Sequence, residues 1–319
     1  MTASVRPGWS RPSTILFATE SPVNERALNL AAAQARESGA HLILFHAYDT
    51  LLAATSETSG ICYYDDAEAA RAEHQQLEPL ARRLRRQGIE CEIVTRPGMP
   101  ADQILHLLAE RNIDRIVMGS HAPGTLGKML VGSVAEAVLR AACVPVCIVG
   151  PEVPAARYNS RPEETILCAV SLNETSPTVA EFAAELAAAH KARLILLYVI
   201  RPQERAEVLA GRTLDDVEAE MQSLVPEHMH ATLSVGTIVT PGDPAEQVVR
   251  MAQMEPARMI VLGAQGASAF AAMTRHGIVY KVLAHAPCPV MTLSPAVLEG
   301  CGAKRGTRRA AEIFLAGVF

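Results

Sequence analysis

Glycine and serine residues stand at the end of one predicted strand and at the start of the helix that follows it. The apolar run RIVMG ends at Gly119, and after the loop GSHAPGTLGKML the pair Gly132–Ser133 opens a helical segment. Glycines let a ligand approach the backbone closely, and the free amides of a helix N-terminus bind anions. A triphosphate would fit here, although Gly and Ser are also ordinary turn and capping residues.

Polar residues also follow the first two predicted strands. Thr19 and Glu20 come after the run ILFA, and residues 46–49 (HAYD) come after LILF. In an open α/β sheet, the ligand crevice lies beyond the carboxyl ends of the strands, where the strand order switches. We therefore expect the base of a bound nucleotide to lie near Ala47 and Met118.

The same loop contains GTLGKM, which looks like the end of a Walker A loop, G-x4-G-K-[ST]. Counted back from Gly127 and Lys128, the first glycine of that motif would be residue 122, which is alanine. The Mg-binding hydroxyl would be residue 129, which is methionine. Both departures exclude a P-loop NTPase, and no G-x-G-x-x-G follows a first strand to indicate a dinucleotide fold.

Short apolar runs alternate with helical periods in both halves of the chain. ILFA, LILF, CEIVT, RIVMG and VPVCIV have the composition of parallel strands buried on both faces. Residues 179–186 carry apolar side chains at helical spacing, and Pro100 and Pro244 stand at helix starts after a glycine. Five strands with four crossover helices predict an α/β fold, a doubly wound parallel sheet in each half.

The chain contains an internal repeat. Residues 14–49 resemble 165–200, with Ile15 and Ile166 151 positions apart, while Gly119 and Gly263 are 144 apart. The first half therefore carries an extra segment at 50–65, which the sequence indicates as a mobile insertion, a lid or a phosphorylation loop. The predicted division is 1–150 for the first domain, 151–162 for a proline-containing linker, 163–296 for the second domain and 297–319 for a basic and then apolar tail.

Composition excludes several classes of protein. Lys plus Arg number 29 against 34 Asp plus Glu, so the net charge of −5 argues against a nucleic-acid binder or a basic membrane-surface protein. No apolar run has the length of a membrane span, and the N-terminus has no apolar leader. The seven cysteines are odd in number and lie mostly in apolar runs, which predicts reduced thiols and a cytoplasmic location. No metal site is expected.

Taken together, the motifs resemble the universal stress protein family. They are A-T-E after strand one, G-x-P-A before the third helix, V-M-G-S-H after strand four, then G-S-V-A-E and a final V-P-V-C-I-V. The resemblance covers nearly the whole chain, twice, and implies two tandem five-stranded parallel domains of the adenine nucleotide alpha hydrolase-like fold. In ATP-binding members of that family, G-x2-G-x9-G-[ST] follows strand four and an Asp follows strand one.

The first half matches this pattern with two departures. Gly119, Gly132 and Ser133 match and the nine-residue spacer is intact, but Ala122 replaces the second glycine and Glu20 replaces the Asp. The resemblance implies ATP or AMP as ligand, with Mg²⁺ as an accompanying ion. The residues it assigns to this site are Thr19, Glu20, Ala47, Met118, Gly119, His121, Ala122, Gly132, Ser133 and Val134.

The second half departs further from the pattern. Gly263 and Gly266 supply both early glycines, but His276 and Gly277 stand where Gly-Ser belongs, and Ser171 replaces the acidic residue. We predict a degenerate pocket without nucleotide, whose weaker candidate residues are Ser171, Val199, Gly263 and Gly266.

Two functions remain open: a regulatory protein that binds ATP or AMP in its first half, and an interaction scaffold whose pockets are both vestigial. An enzyme is not expected, because the strand ends show no paired carboxylates, no Ser-His-Asp grouping and no metal cluster. At most, slow incidental ATP hydrolysis would accompany binding. Family members usually dimerise through their last strands, so we expect residues 146–149 and 290–293 to pair within the chain as a pseudo-dimer. A further homodimer and an unidentified protein partner stay open.

Overall fold

Ten strands form one continuous sheet in the computed structural model of the chain, which describes residues 7–20, 22–48, 66–120, 132–154, 164–203, 206, 209–263 and 277–298. The insertion at 50–65, most of the predicted linker and the tail from residue 299 lie outside these ranges. Among the described helices, none is both long enough and apolar enough to cross a membrane.

The first half alternates strands and helices as its apolar runs predict. Its elements in chain order are α1 Pro7–Ser10, β1 Thr14–Ala18, α2 Glu25–Ser38, β2 His41–Tyr48, α3 Asp66–Arg86, β3 Cys91–Pro97, α4 Pro100–Glu110, β4 Arg115–Gly119, α5 Ser133–Ala141 and β5 Val146–Val149.

The second half repeats this succession. Its elements are β6 Thr165–Val170, α6 Ser176–His190, β7 Arg193–Ile200, α7 Leu214–Ser223, a 3-10 turn at Glu227–Met229, β8 Val235–Pro241, α8 Pro244–Met254, β9 Ala257–Gly263, α9 Ile278–His285, β10 Val290–Leu293 and α10 Pro295–Leu298.

The strands follow the order β3-β2-β1-β4-β5-β10-β9-β6-β7-β8. All neighbours within a half are parallel, so each half is a five-stranded doubly wound sheet and the predicted fold class is confirmed. The two last strands pair antiparallel, with Met291 opposite Cys147, and the Thr292 hydroxyl donates to the Val146 carbonyl at 3.1 Å. This is the pairing expected within the chain, and it joins the halves about a pseudo-twofold axis.

Apolar side chains fill both faces of the sheet. One face packs against α2, α3, α6 and α7, and the other packs against α4, α5, α8 and α9. The halves also touch outside the sheet, because a Cβ on Gly150 would lie only 2.5 Å from the Leu283 carbonyl oxygen. The core therefore runs through both halves without interruption.

Two glycine turns set the starts of α4 and α8. Gly98 and Gly242 have φ of 111° and 142°, values that L side chains rarely adopt. A proline follows two positions later as the first helical residue, where its missing N–H costs no hydrogen bond. The helix starts predicted at Pro100 and Pro244 are therefore confirmed.

Candidate functional site

The order of the strands switches at β1, which lies between β2 and β4. Ala18 at the end of β1 pairs with Phe45 on one side and Met118 on the other. The carboxyl ends of these three strands therefore open one crevice at the position where doubly wound folds bind ligands. Ala47 and Met118 both pack toward the face that carries α4 and α5, as a shared role in lining a base requires.

Glu20 and Gly119 are brought into contact across this crevice. A Cβ on Gly119 would lie 2.8 Å from Glu20 Oε1 and 2.8 Å from Asn24 Cγ, so the glycine leaves the space that these two side chains fill. Asn24 is pinned there because its Oδ1 accepts the Ala27 amide at 3.1 Å and caps α2. Asn24 is not among the residues predicted for the site, although an Asn directly before a Glu-led helix is a capping signal.

Helix α5 begins beside the same strand ends. Its N-cap is Gly132, in extended conformation, and this residue makes no side-chain capping hydrogen bond. Ser133 is exposed and Val134 half-buried, so the first turn is open to a ligand. The acidic group in that turn, Glu136, is paired with Arg140 at 2.7 Å. A helix N-terminus of this kind can receive an anion at its backbone amides.

One hydrogen bond and one longer ion-pair contact connect the end of β1 to helix α3. Thr19 Oγ1 lies 3.0 Å from His46 Nδ1, and His46 Nε2 lies 3.5 Å from Glu73 Oε2. We expected no Ser-His-Asp grouping at the strand ends, and the structure instead brings together a threonine, a histidine and a glutamate from a helix. The grouping escaped the sequence analysis because its carboxylate comes from a helix, 54 residues after Thr19, rather than from another strand end.

The loop between β4 and α5 lies outside the described residues. This loop contains His121 and Ala122. The equivalent loop of the second half, between β9 and α9, contains Gly266 and also lies outside the described residues. Their parts in a ligand site stay predictions.

The second half has a different lining at the equivalent positions. Val170 pairs with Tyr198 where register places the Thr19–His46 pair of the first half. Ser171 is exposed after the end of β6. Gly263 is the last residue of β9 and pairs with Leu293. Val199 packs toward the same face of the sheet as Ala47 does. A valine and a tyrosine therefore take the register positions of the threonine and the histidine.

The last helices of the two halves also start differently. The C-caps Ala142 and Ala286 are 144 positions apart, matching the repeat, but the N-caps Gly132 and Gly277 are 145 apart. Helix α9 therefore begins one residue later and opens with Ile278 instead of a serine. This fits the prediction of a degenerate second pocket without testing its occupancy.

Comparison with known proteins places both halves in one family. The model of the universal stress protein family matches residues 12–150 and 163–294. Universal stress protein YxiE of Bacillus subtilis is 29% identical over 136 residues, covering 40% of this chain and 92% of the relative. A universal stress protein of Thermus aquaticus is 30% identical over 143 residues, covering 43% and 97%.

Solved structures match over most of the chain. A universal stress protein from Archaeoglobus fulgidus superposes with a TM-score of 0.65 and 19% identity, covering 88% of this chain and 98% of that chain. A functionally unknown protein from Pseudomonas aeruginosa gives 0.64 and 18%, covering 96% and 100%. At this level of identity, the likeness establishes the tandem fold.

Proposed function

Since the chain belongs to the universal stress protein family, with two tandem domains, we propose that it is a stress-response regulator that binds ATP or AMP in its first half only. The observation that carries this proposal is that α5 leads from β4 into the parallel strand β5, so its first turn at Gly132 starts at the edge of the sheet where β1, β2 and β4 end. Helix amides supply the phosphate site, and the apolar surface at Ala47 and Met118 suits a base.

The assigned role is binding rather than catalysis of a metabolic reaction. A nucleotide that orders the crevice would change the surface that a partner protein recognises, and Mg²⁺ would accompany a triphosphate. The described residues contain no group of three or more His, Cys, Asp or Glu side chains suited to a metal. Reduced, buried cysteines support a cytoplasmic setting.

A second candidate is a scaffold that binds no nucleotide. It is favoured by the side chains of Glu20 and Asn24, which already fill the space over Gly119. In that case the continuous ten-stranded sheet would serve only to present two joined surfaces. The first experiment must therefore separate binding in the first half from no binding at all.

The test is a matched pair of aspartate substitutions at two helix N-caps. Gly132→Asp and Gly277→Asp each install a favourable capping side chain, so α5 and α9 should keep their stability. Only Gly132→Asp puts a negative charge in the proposed phosphate site. We expect calorimetry to give one ATP site per chain in the wild type and in Gly277→Asp, and at least about a tenfold loss of affinity in Gly132→Asp, which corresponds to about 1.4 kcal/mol.

The opposite outcomes are equally informative. If Gly132→Asp and Gly277→Asp bind ATP with equal affinity, the nucleotide does not bind at the N-terminus of α5. A wild-type protein that releases no small molecule on denaturation and shows no heat with ATP or AMP, with or without Mg²⁺, would leave the scaffold as the function.

A further inference from the structure

Arg115, the first residue of β4, is buried at the edge of the sheet opposite the crevice, with only 1% of its surface exposed. Its Nη1 donates to Gln34 Oε1 at 2.9 Å and its Nη2 donates to the Trp9 carbonyl. Its Nε is buried and has no hydrogen-bond partner among the described residues, and none of their carboxylates forms an ion pair with the guanidinium. Because burying an unpaired charge costs stability, packing alone does not explain this arrangement.

Two carboxylates lie near enough to act on the charge of Arg115, and both are engaged by other residues. Asp114 Oδ2 accepts the Ser13 amide at 2.8 Å and the Ser13 hydroxyl at 2.7 Å. Glu37 is paired with Arg258 of the second half at 2.6 Å. Burial lowers the pKa of Arg115 to about 10, so its guanidinium is still protonated at neutral pH. The structure therefore holds a buried cation whose neighbouring anions are bound to other groups.

The second half shows what the fold itself requires at this position. By the offset of 144 residues that relates Gly119 to Gly263, Arg115 corresponds to Met259, which is equally buried. An apolar side chain thus fills the same place in the core of the second half. The guanidinium is therefore not needed to build the sheet, which favours a role in binding.

Helix α1 covers Arg115 with a backbone carbonyl. The Trp9 side chain is buried in the core cluster on the α2 and α6 face of the sheet. The unpartnered Nε and the Nη2 that contacts Trp9 lie on the same edge of the guanidinium, the edge that pairs with both oxygens of a carboxylate. The Trp9 carbonyl offers this edge one oxygen and no full charge. A carboxylate in the same place would satisfy both N–H groups and the charge.

We propose that Arg115 is a binding site for the C-terminal carboxylate of a partner protein whose chain ends in an aromatic residue, and that α1 closes this site by placing Trp9 in it. The chemistry of the ligand follows from the residue that occupies the site. If a chain ended at the position of Trp9, its carboxylate would put one oxygen on Nη2 and the other toward Nε, with the aromatic ring in the same pocket. The proposal does not depend on nucleotide binding, because the crevice lies at the other edge of the sheet.

Displacement of α1 leaves the first strand anchored. The helix is only four residues long, and the exposed Arg11 follows it. Beyond that residue, the hydrogen bonds of Asp114 to Ser13 hold the start of β1 in place. A partner chain can therefore replace α1 without unpairing the sheet.

The test uses the full-length variant Trp9→Ala, in which the pocket is open. Trp9 is the only tryptophan of the chain, so this variant has no tryptophan emission of its own. The probe is the acetylated peptide VRPGW, the sequence of residues 5–9, prepared with a free C-terminal carboxylate and as the C-terminal amide. We expect the blue shift of its emission to show that the acid binds about tenfold to hundredfold more tightly than the amide, the range of a charge-assisted hydrogen bond.

Two further substitutions in the Trp9→Ala protein test the part of Arg115. Arg115→Met places there the residue type that the second half has, and it should remove the preference for the acid. The matched control Arg111→Met removes an exposed arginine of the same half, with the same change in net charge, and should keep the preference. Equal binding of acid and amide, or no binding of either peptide to folded Trp9→Ala, would overturn the proposal.

A second measurement decides the matter if circular dichroism shows that Trp9→Ala does not fold. The peptide VRPGF contains no tryptophan, so in the wild-type protein the emission reports Trp9 alone. The acid at millimolar concentration should shift this emission to the red by displacing α1, and the amide should not. The absence of a shift with the acid, or the same shift with both peptides, would rule out a carboxylate site at Arg115.

Discussion

At the scale of single residues, Gly119 shows how tightly the end of β4 is bound to the start of α2. Any larger residue would have to displace Asn24, whose carboxamide caps α2, and Glu20, which stands where the family pattern has an aspartate after strand one. The glycine is thus needed for the neighbouring helix to keep its cap.

Gly119→Ala should therefore destabilise the fold and weaken ATP binding at once. We expect a loss of about 1 kcal/mol in the free energy of unfolding, the usual value of a side-chain N-cap, measured by urea denaturation. Asn24→Ala should cost a similar amount, because it removes the same hydrogen bond to Ala27. If the cap is the common cause, the double variant will be less destabilised than the sum of the two single variants. If the two effects are strictly additive, Gly119→Ala destabilises the fold by a cause other than loss of the Asn24 cap.

At the scale of elements, the most predictable parts are those that local chemistry alone determines. The turns Gly98-Met99-Pro100 and Gly242-Asp243-Pro244 each require a positive φ and then a helix start, and both are read directly from the sequence. Buried parallel strands are recognised equally well, because a short apolar run between two helical periods is typical of a strand that is buried on both faces.

The parts that could not be predicted depend on distant elements or on loops. Glu73 reaches His46 only because α3 crosses over β2, and nothing in the spacing of the sequence connects the two residues. The delayed start of α9 at Ile278 is likewise invisible to motif counting, which places Gly277 opposite Ser133. A register shift of one residue at a helix start changes which side chain faces the crevice without changing the repeat.

The turn glycines give a prediction at this scale. Gly242→Ala should lower the free energy of unfolding by about 1 to 2 kcal/mol, because alanine is strained at a φ of 142° and its Cβ would lie 2.8 Å from Gln247 Nε2. Gly236→Ala in β8 is the matched control, since its Cβ would meet Ile195 Cγ1 at 3.9 Å and the Leu194 carbonyl oxygen at 4.0 Å, both ordinary contacts, and its φ is not positive. The control should change stability by no more than about 0.5 kcal/mol. Equal effects in both variants would rule out strain at the turn.

At the scale of the whole molecule, the two halves behave as one folded unit joined by more than the β5–β10 pair. On the α2 and α6 side, Glu37 of the first half contacts two residues of the second, His190 Nδ1 at 3.1 Å and Arg258 Nη2 at 2.6 Å. Arg258 also pairs with Glu164 at 2.6 Å, and the Arg258 side chain is only 10% exposed. Partial burial strengthens these contacts relative to a surface ion pair.

This cluster predicts how stability depends on pH. Burial alone would raise the pKa of Glu37, but the hydrogen bond from His190 and the charge of Arg258 outweigh it and lower the pKa from 4.5 to about 2. Because the folded value lies below the unfolded one, the stabilisation is complete above about pH 4.5 and is lost as the pH falls toward 2.

Glu37→Gln should therefore be less stable than the wild type by about 2 kcal/mol near neutral pH, after allowance for the partial exposure of the carboxylate. The difference should shrink steadily between about pH 4.5 and about pH 2, as measured by urea denaturation at each pH. The exposed Glu174→Gln serves as the control and should follow the wild-type curve. A difference for Glu37→Gln that stays constant over this range would mean that the carboxylate charge does not hold the halves together. The joint would then depend on apolar packing and on the hydrogen bonds between β5 and β10.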